Sequence, residues 1–134
     1  MDQLVLGVLT NTAMKLEKTV PILYSSDIRQ SLAYYTDTLG FSGKWEWETP
    51  PTFGGVVKDD VEIFFCKEDQ GHPGTWISVM LDDVDAYYAQ IKANGATIVS
   101  PPDSKPWNMR EMLVKDPDGH IIRFGHRIEC EPEA

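Results

Sequence analysis

Apolar residues along the chain switch between a period of two and a helical period. Thr19 to Ser25 alternates, with Val20, Ile22 and Tyr24 on one face, which predicts a strand. Pro21 has no N–H for a ladder bond, so it confines the first residues to an edge or a strand start. Ser26 and Asp27 offer side-chain oxygens for a helix N-cap. Ile28, Leu32, Tyr35 and Leu39 follow at helical spacing, and Gly40 stops the helix. Phe41 to Glu48 reads as a second strand and Pro50-Pro51 as a loop. Gly54–Lys58 and Val61–Lys67 read as a hairpin around Asp59-Asp60.

After a polar connector, Glu68 to Gly74, the pattern restarts. Thr75 to Leu81 is strand-like, with Trp76, Ser78 and Met80 on one face. Asp82 or Asp83 caps a helix carrying Val84, Tyr87, Tyr88 and Ile91, which Gly95 ends. Ala96–Ser100 predicts a strand, Pro101-Pro102 a loop, and Glu111–Lys115 with Ile121–Gly125 a hairpin around Asp116-Pro117-Asp118-Gly119. Asp27 and Asp83 lie 56 positions apart and Gly40 and Gly95 lie 55 apart. One strand–helix–strand–strand–strand unit is therefore present twice, over about residues 19–70 and 75–126. The fold class this predicts is α+β. Each unit has one helix to cover one sheet face, and the other faces form a concave cleft needing both halves, so residues 19–134 are read as one domain. Residues 1–18 are read as an N-terminal arm or an extra strand, with Met14 as an alternative start.

Composition narrows the function classes. The 134 residues are 42% hydrophobic and 25% charged, an ordinary globular mixture for a single domain. The net charge of −9 opposes a phosphate backbone and argues against a nucleic-acid partner, whereas a cationic small molecule is attracted. No apolar run approaches the ~20 residues of a membrane span, and Leu4–Leu9 is too short, without a basic flank, for a secretory signal. Cys66 and Cys130 give neither a disulfide framework nor a zinc spacing, and reduced thiols suit a cytoplasmic protein. His72, His120 and His126 are read as surface residues. There is no nucleophile elbow and no glycine-rich phosphate loop, and Gly54-Gly55 is read as a strand kink.

Several strings resemble a known family. Ser25–Phe41 (SSDIRQSLAYYTDTLGF) and Ile77–Tyr88 (ISVMLDDVDAYY) are similar to the two strand–helix units of the glyoxalase/bleomycin-resistance/dioxygenase (vicinal oxygen chelate) superfamily. Asp116–Phe124 (DPDGHIIRF) resembles its closing hairpin. Phe53–Phe65 (FGGVVKDDVEIFF) and Lys105–Met112 (KPWNMREM) resemble the bleomycin-resistance proteins in particular. The resemblance covers about residues 19–126 and implies paired βαβββ modules around a curved mixed sheet. It also implies a homodimer, often with exchanged elements, that holds its drug between subunits without altering it.

Metal-dependent relatives place four inward His or Glu side chains on one divalent ion. The corresponding positions here are Val20, about Phe64, Trp76 and Arg123. None of these side chains donates an electron pair as imidazole or carboxylate does, and arginine adds a fixed positive charge. The expectation is therefore no metal, no cofactor and no catalytic residue. The expected ligand-binding residues are Trp45, Trp47, Phe53, Glu62, Phe64, Trp76, Trp107, Met109, Glu111 and Arg123. Rings and carboxylates at such positions suit flat cationic molecules, and the alternative for Glu62 or Glu111 is a structural pair with Arg123 inside the cleft. For Trp107 the drug-binding role is what the resemblance implies. The function expected is sequestration of a bleomycin-type or similar antibiotic. The alternative is a metal-dependent lyase, isomerase or dioxygenase with a relocated site.

Overall fold

The computed structural model describes residues 13–128. The expectation for residues 1–12, and Cys130, lie outside the described residues. The first module contains β1 (Ile22–Tyr24), α1 (Ile28–Ala33, continued by a π-helical turn Tyr34–Thr38), β2 (Gly43–Trp47), β3 (Phe53–Lys58) and β4 (Val61–Cys66). The second contains β5 (Trp76–Met80), α2 (Val84–Ala93), β6 (Thr97–Lys105), β7 (Met109–Lys115) and β8 (Ile121–Arg127). The sheets are ordered β1-β4-β3-β2 and β5-β8-β7-β6. In each, the first strand runs parallel to the fourth and the remaining neighbours are antiparallel. This is the paired βαβββ architecture, built as two four-stranded mixed sheets.

Local chemistry sets the boundaries. β1 starts at Ile22 and not at Thr19, because Pro21 accepts from the Phe64 N–H with its carbonyl but has no N–H to continue the ladder. Asp27 and Asp83 are the N-caps, their carboxylates accepting from the N–H groups of Gln30 (3.2 Å) and Ala86 (3.0 Å). The sequence predicts one regular helix from Ile28 to Leu39, but its last turn widens and the Leu39 N–H donates to the Tyr34 carbonyl. β6 also departs from expectation. It runs on through Pro101-Pro102 to Lys105, with two register shifts, because an edge strand tolerates missing donors. β8 likewise continues past Gly125 to Arg127.

One core serves both modules. Leu23, Ile28, Leu32, Tyr35, Leu39, Val56, Ile63 and Phe65 of the first pack in the same cluster as Val84, Ile91, Met112, Val114, Ile122 and Phe124 of the second. Polar ties cross the seam. The Tyr34 hydroxyl donates to the Lys115 carbonyl (2.8 Å) and accepts from the Thr97 N–H (3.1 Å). The Tyr35 hydroxyl donates to Asp116 (2.9 Å), and that of Tyr87 to the Leu39 carbonyl (2.6 Å).

Two histidines are structural. His120 is fully buried, contrary to a surface reading: its Nδ1 accepts from the Thr75 N–H (2.9 Å) and its Nε2–H donates to the Tyr24 carbonyl (2.7 Å). Those partners fix the ring proton on Nε2. His126 accepts from the Val84 N–H at the start of α2 (3.0 Å). His72 is exposed. Among the described residues no helix is long and apolar enough to cross a membrane.

Candidate functional site

With the helices and core on one side of each sheet, alternation along the strands turns every second residue to the opposite, open face. On the first sheet the pairs Trp45↔Gly55, Trp47↔Phe53, Gly55↔Phe64, Phe53↔Cys66 and Val57↔Glu62 fall on that face. Core residues Val56, Ile63 and Phe65 occupy the intervening positions. On the second sheet Trp76, Ser78 and Met80 of β5, Met109, Glu111 and Leu113 of β7 and Arg123 of β8 take the same place. Both faces remain largely open among the described residues: Trp47 is 64% exposed, Trp76 60% and Trp107 57%, although Cys66 and Glu111 are buried.

Three rings form the centre of the first face. Trp45 lies 5.6 Å from Phe53 and 5.5 Å from Phe64 between centroids, and the two phenylalanines are 5.5 Å apart. Such a cluster holds its faces and edges in fixed, tilted orientations. Gly55 makes this possible. A Cβ at that position would stand 2.7 Å from Trp45 Nε1, so only glycine lets the indole lie down on the sheet. Gly54 does the same on the other side, where a Cβ would meet the Trp45 carbonyl and Ile28 of α1. The β3 register runs unbroken through both glycines, so they serve close approach on two faces and not a kink.

Beside this cluster opens a cavity of about 530 Å³ lined by Trp45, Trp47, Thr52, Phe53, Cys66, Glu68, Asp69 and Gln70. Its acids come from the polar connector. Asp69 accepts a weak bond from the Cys66 thiol (3.4 Å). Glu68 and Asp69 were not among the expected site residues. Strand alternation stops at Cys66, so no periodicity carries the reading into the loop that follows.

The second face has a different character. Glu111 is buried, and its Oε2 accepts from Trp107 Nε1 (3.1 Å) and, weakly, from Arg123 Nη1 (3.5 Å). Here too a glycine lies beneath. Glu111 pairs with Gly125, where a Cβ would sit 3.0 Å from Glu111 Cγ, so the side chain folds over the strand toward Arg123. Trp107 stands in the turn between β6 and β7 rather than on a strand, and reaches Glu111 from there.

The ten expected residues thus form two groups. Trp45, Trp47, Phe53, Glu62 and Phe64 share the first face, and Trp76, Trp107, Met109, Glu111 and Arg123 belong to the second. Ring contacts and hydrogen bonds link residues within a group, and among the described residues none crosses between the groups. Neither expected carboxylate is free for a cation. Glu111 is engaged as above, and Glu62 pairs with Lys18 at 2.7 Å. Arg110, on the opposite face from Glu111, makes a two-pronged pair with Asp85 of α2 (2.8 and 3.0 Å) that holds that carboxyl below its usual range.

As metal ligands the side chains at Val20, Phe64, Trp76 and Arg123 do not fit. Among the described residues no three His, Cys, Asp or Glu side chains stand close enough together to hold an ion.

A family model described as the Glyoxalase/Bleomycin resistance protein/Dioxygenase superfamily matches residues 15–124. Among solved structures, a member of that superfamily from Sphaerobacter thermophilus is 27% identical, with 85% of this chain and 99% of that one covered and a TM-score of 0.70. The bleomycin-binding protein from bleomycin-producing Streptomyces verticillus, complexed with copper(II)-bleomycin, is 24% identical over 88% of this chain and 99% of its own, with a TM-score of 0.69. TioX from Micromonospora sp. ML1 is 22% identical over 84% and 100%, with a TM-score of 0.72. The last two likenesses establish a common fold. No curated protein matches the sequence.

Proposed function

This chain belongs to the Glyoxalase/Bleomycin resistance protein/Dioxygenase superfamily, and from that premise we propose that it is a metal-independent binding protein that sequesters a flat, cationic, amphipathic small molecule such as a bleomycin-type antibiotic. The observation that carries this reading is the ring cluster of Trp45, Phe53 and Phe64 beside a cavity of about 530 Å³ edged by Glu68 and Asp69. Indole and phenyl faces attract flat cations, and nearby carboxylates add Coulomb attraction. The volume is within the usual range for a small-molecule pocket and accommodates the flat end of a larger glycopeptide. Holding such a ligand requires no bond to be made or broken, so the reading assigns no catalytic residue. The fold shared with the bleomycin-binding protein of Streptomyces verticillus supports the ligand class.

The reading includes a homodimer working in the cytoplasm. Open sheet faces bordered by Trp47, Trp76 and Trp107 at more than half exposure are costly to leave in water, and a second copy of the chain facing them across a crevice shields them while leaving room for the ligand between the subunits. Titration with copper-free bleomycin, followed by tryptophan fluorescence, tests the ligand. Micromolar drug should quench emission from the wild type, and Trp45→Leu should lose most of the response. Unchanged emission up to millimolar drug would remove bleomycin as the ligand.

A further inference from the structure

We infer that the open face of the second sheet is a carboxylate-recognition wall, with Arg123 as its anchoring cation and the indoles of Trp76 and Trp107 on either side. The inference rests on the reading of the chain as a binding protein and extends it: the ligand carries a planar carboxylate as well as its flat ring system.

Arg123 stands next to Ser78 in register, in the middle of this face. A guanidinium has five N–H donors. Among the described residues only one of those at Arg123 meets an acceptor, Nη1 to Glu111 at 3.5 Å, which is the outer limit of a hydrogen bond. Nε is buried with no partner among the described residues. A buried donor without an acceptor costs free energy, and a second oxygen placed beside Nε would recover it. Glu111 does not fill that role. Its Oε2 is nearer to Trp107 Nε1, at 3.1 Å, and the carboxylate is only 7% exposed, whereas the Arg123 side chain is 43% exposed. The cation therefore keeps most of its donors turned to the open face.

The surroundings choose the ligand class. Trp76 lies on the same face of β5 as Ser78, two residues before it, so an aromatic body resting on that indole brings a substituent to Arg123 and the Ser78 hydroxyl. Trp107, held through Glu111, closes the other side. A carboxylate is planar and offers two oxygens at the spacing of a guanidinium fork. Asp103, opposite Glu111 across β6 and β7, is paired with Lys105 at 3.4 Å. In a chain of net charge −9, an anion approaches this face only against the overall field, so a built cation is needed to receive it.

Isothermal titration with 2-naphthoate and with 2-naphthylmethylamine, which shares the ring but carries the opposite charge, separates the two faces. Wild type should bind naphthoate, Arg123→Met should weaken it at least tenfold, and Arg123→Lys should fall between. The amine should be unaffected by Arg123→Met and lost in Trp45→Leu. The double variant Arg123→Met with Glu111→Gln removes both charges, leaves no buried carboxylate uncompensated, and should show the same loss of naphthoate. Absence of naphthoate binding in the wild type, or equal affinity in a folded Arg123→Met or double variant, overturns the inference. Loss of amine binding alone, with naphthoate still dependent on Arg123, overturns the cation-binding face and leaves this wall standing.

Discussion

Gly55 and Gly125 do their work through the side chains that lie across them. Alanine at 55 would push a methyl to within 2.7 Å of Trp45 Nε1, and the indole must turn away from the sheet. Overfilling of this kind costs about 1–3 kcal/mol. Gly55→Ala should therefore lower the denaturation midpoint, shift tryptophan emission to the red and weaken quenching by bleomycin. An unchanged spectrum and midpoint would mean that the strand yields instead of the ring. This scale was only half legible in the sequence. Period two put Trp45 and Trp47 on one face, and it put Glu62 and Phe64 there as well. It was silent on Gly55, because a glycine has no side chain to declare a face. It offered Glu62 and Glu111 for a cationic ligand or, for one of them, for a structural pair with Arg123; the folded chain gives Arg123 to Glu111 and brings Lys18, which no periodicity indicates, to Glu62.

Elements carry the link between the halves. The π-helical turn after α1 adds a residue to its last coil, and in this arrangement adjacent tyrosines both reach the second module, Tyr34 at Lys115 and Tyr35 at Asp116. Asp116 is buried, and burial raises its pKa above the usual carboxylate value while His120 and the Tyr35 hydroxyl pull it back. Tyr35→Phe takes the donor from Asp116 Oδ2 and leaves a buried acceptor unmet, at a cost of about 1–3 kcal/mol. Urea denaturation should show that loss, whereas an unaltered midpoint would deny the tie any weight. The capped helices were legible because Asp27, Gly40, Asp83 and Gly95 are local signals. The widened turn was not, because helical spacing of apolar residues looks the same through it. Pro101-Pro102 misled in the other direction. Proline excludes an inner strand, and β6 is an edge.

The molecule as a whole is one core shared by two repeats, and its response to alkali follows from what that core encloses. Burial raises the pKa of Tyr35 well above 10 and that of Tyr87 in the same direction. Both folded values exceed the unfolded one. The stability contributed by the neutral phenols is thus fully present below pH ~10 and is lost as pH rises through the folded values. The melting temperature should be insensitive to these groups from neutral pH to ~10 and fall beyond it. Phenolate absorbance should show two of the five tyrosines ionising only as the chain unfolds. Ionisation of all five together near pH 10 in a folded chain would contradict the burial argument. The repeat was legible at this scale because five elements recur in order with matched caps. The division of the site between two faces was not, since alternation assigns a face to each residue but does not say which faces look at one another.

That division gives the fold an unusual freedom under selection. The rings are bedded on β2–β4 over Gly55, while Glu111, the guanidinium's partner, is bedded over Gly125, so a substitution that recolours one surface leaves the other's chemistry untouched. On the proposed binding role, a lineage built this way can change which partner it captures one half at a time, and an intermediate that has altered a single repeat still keeps the grip supplied by its twin.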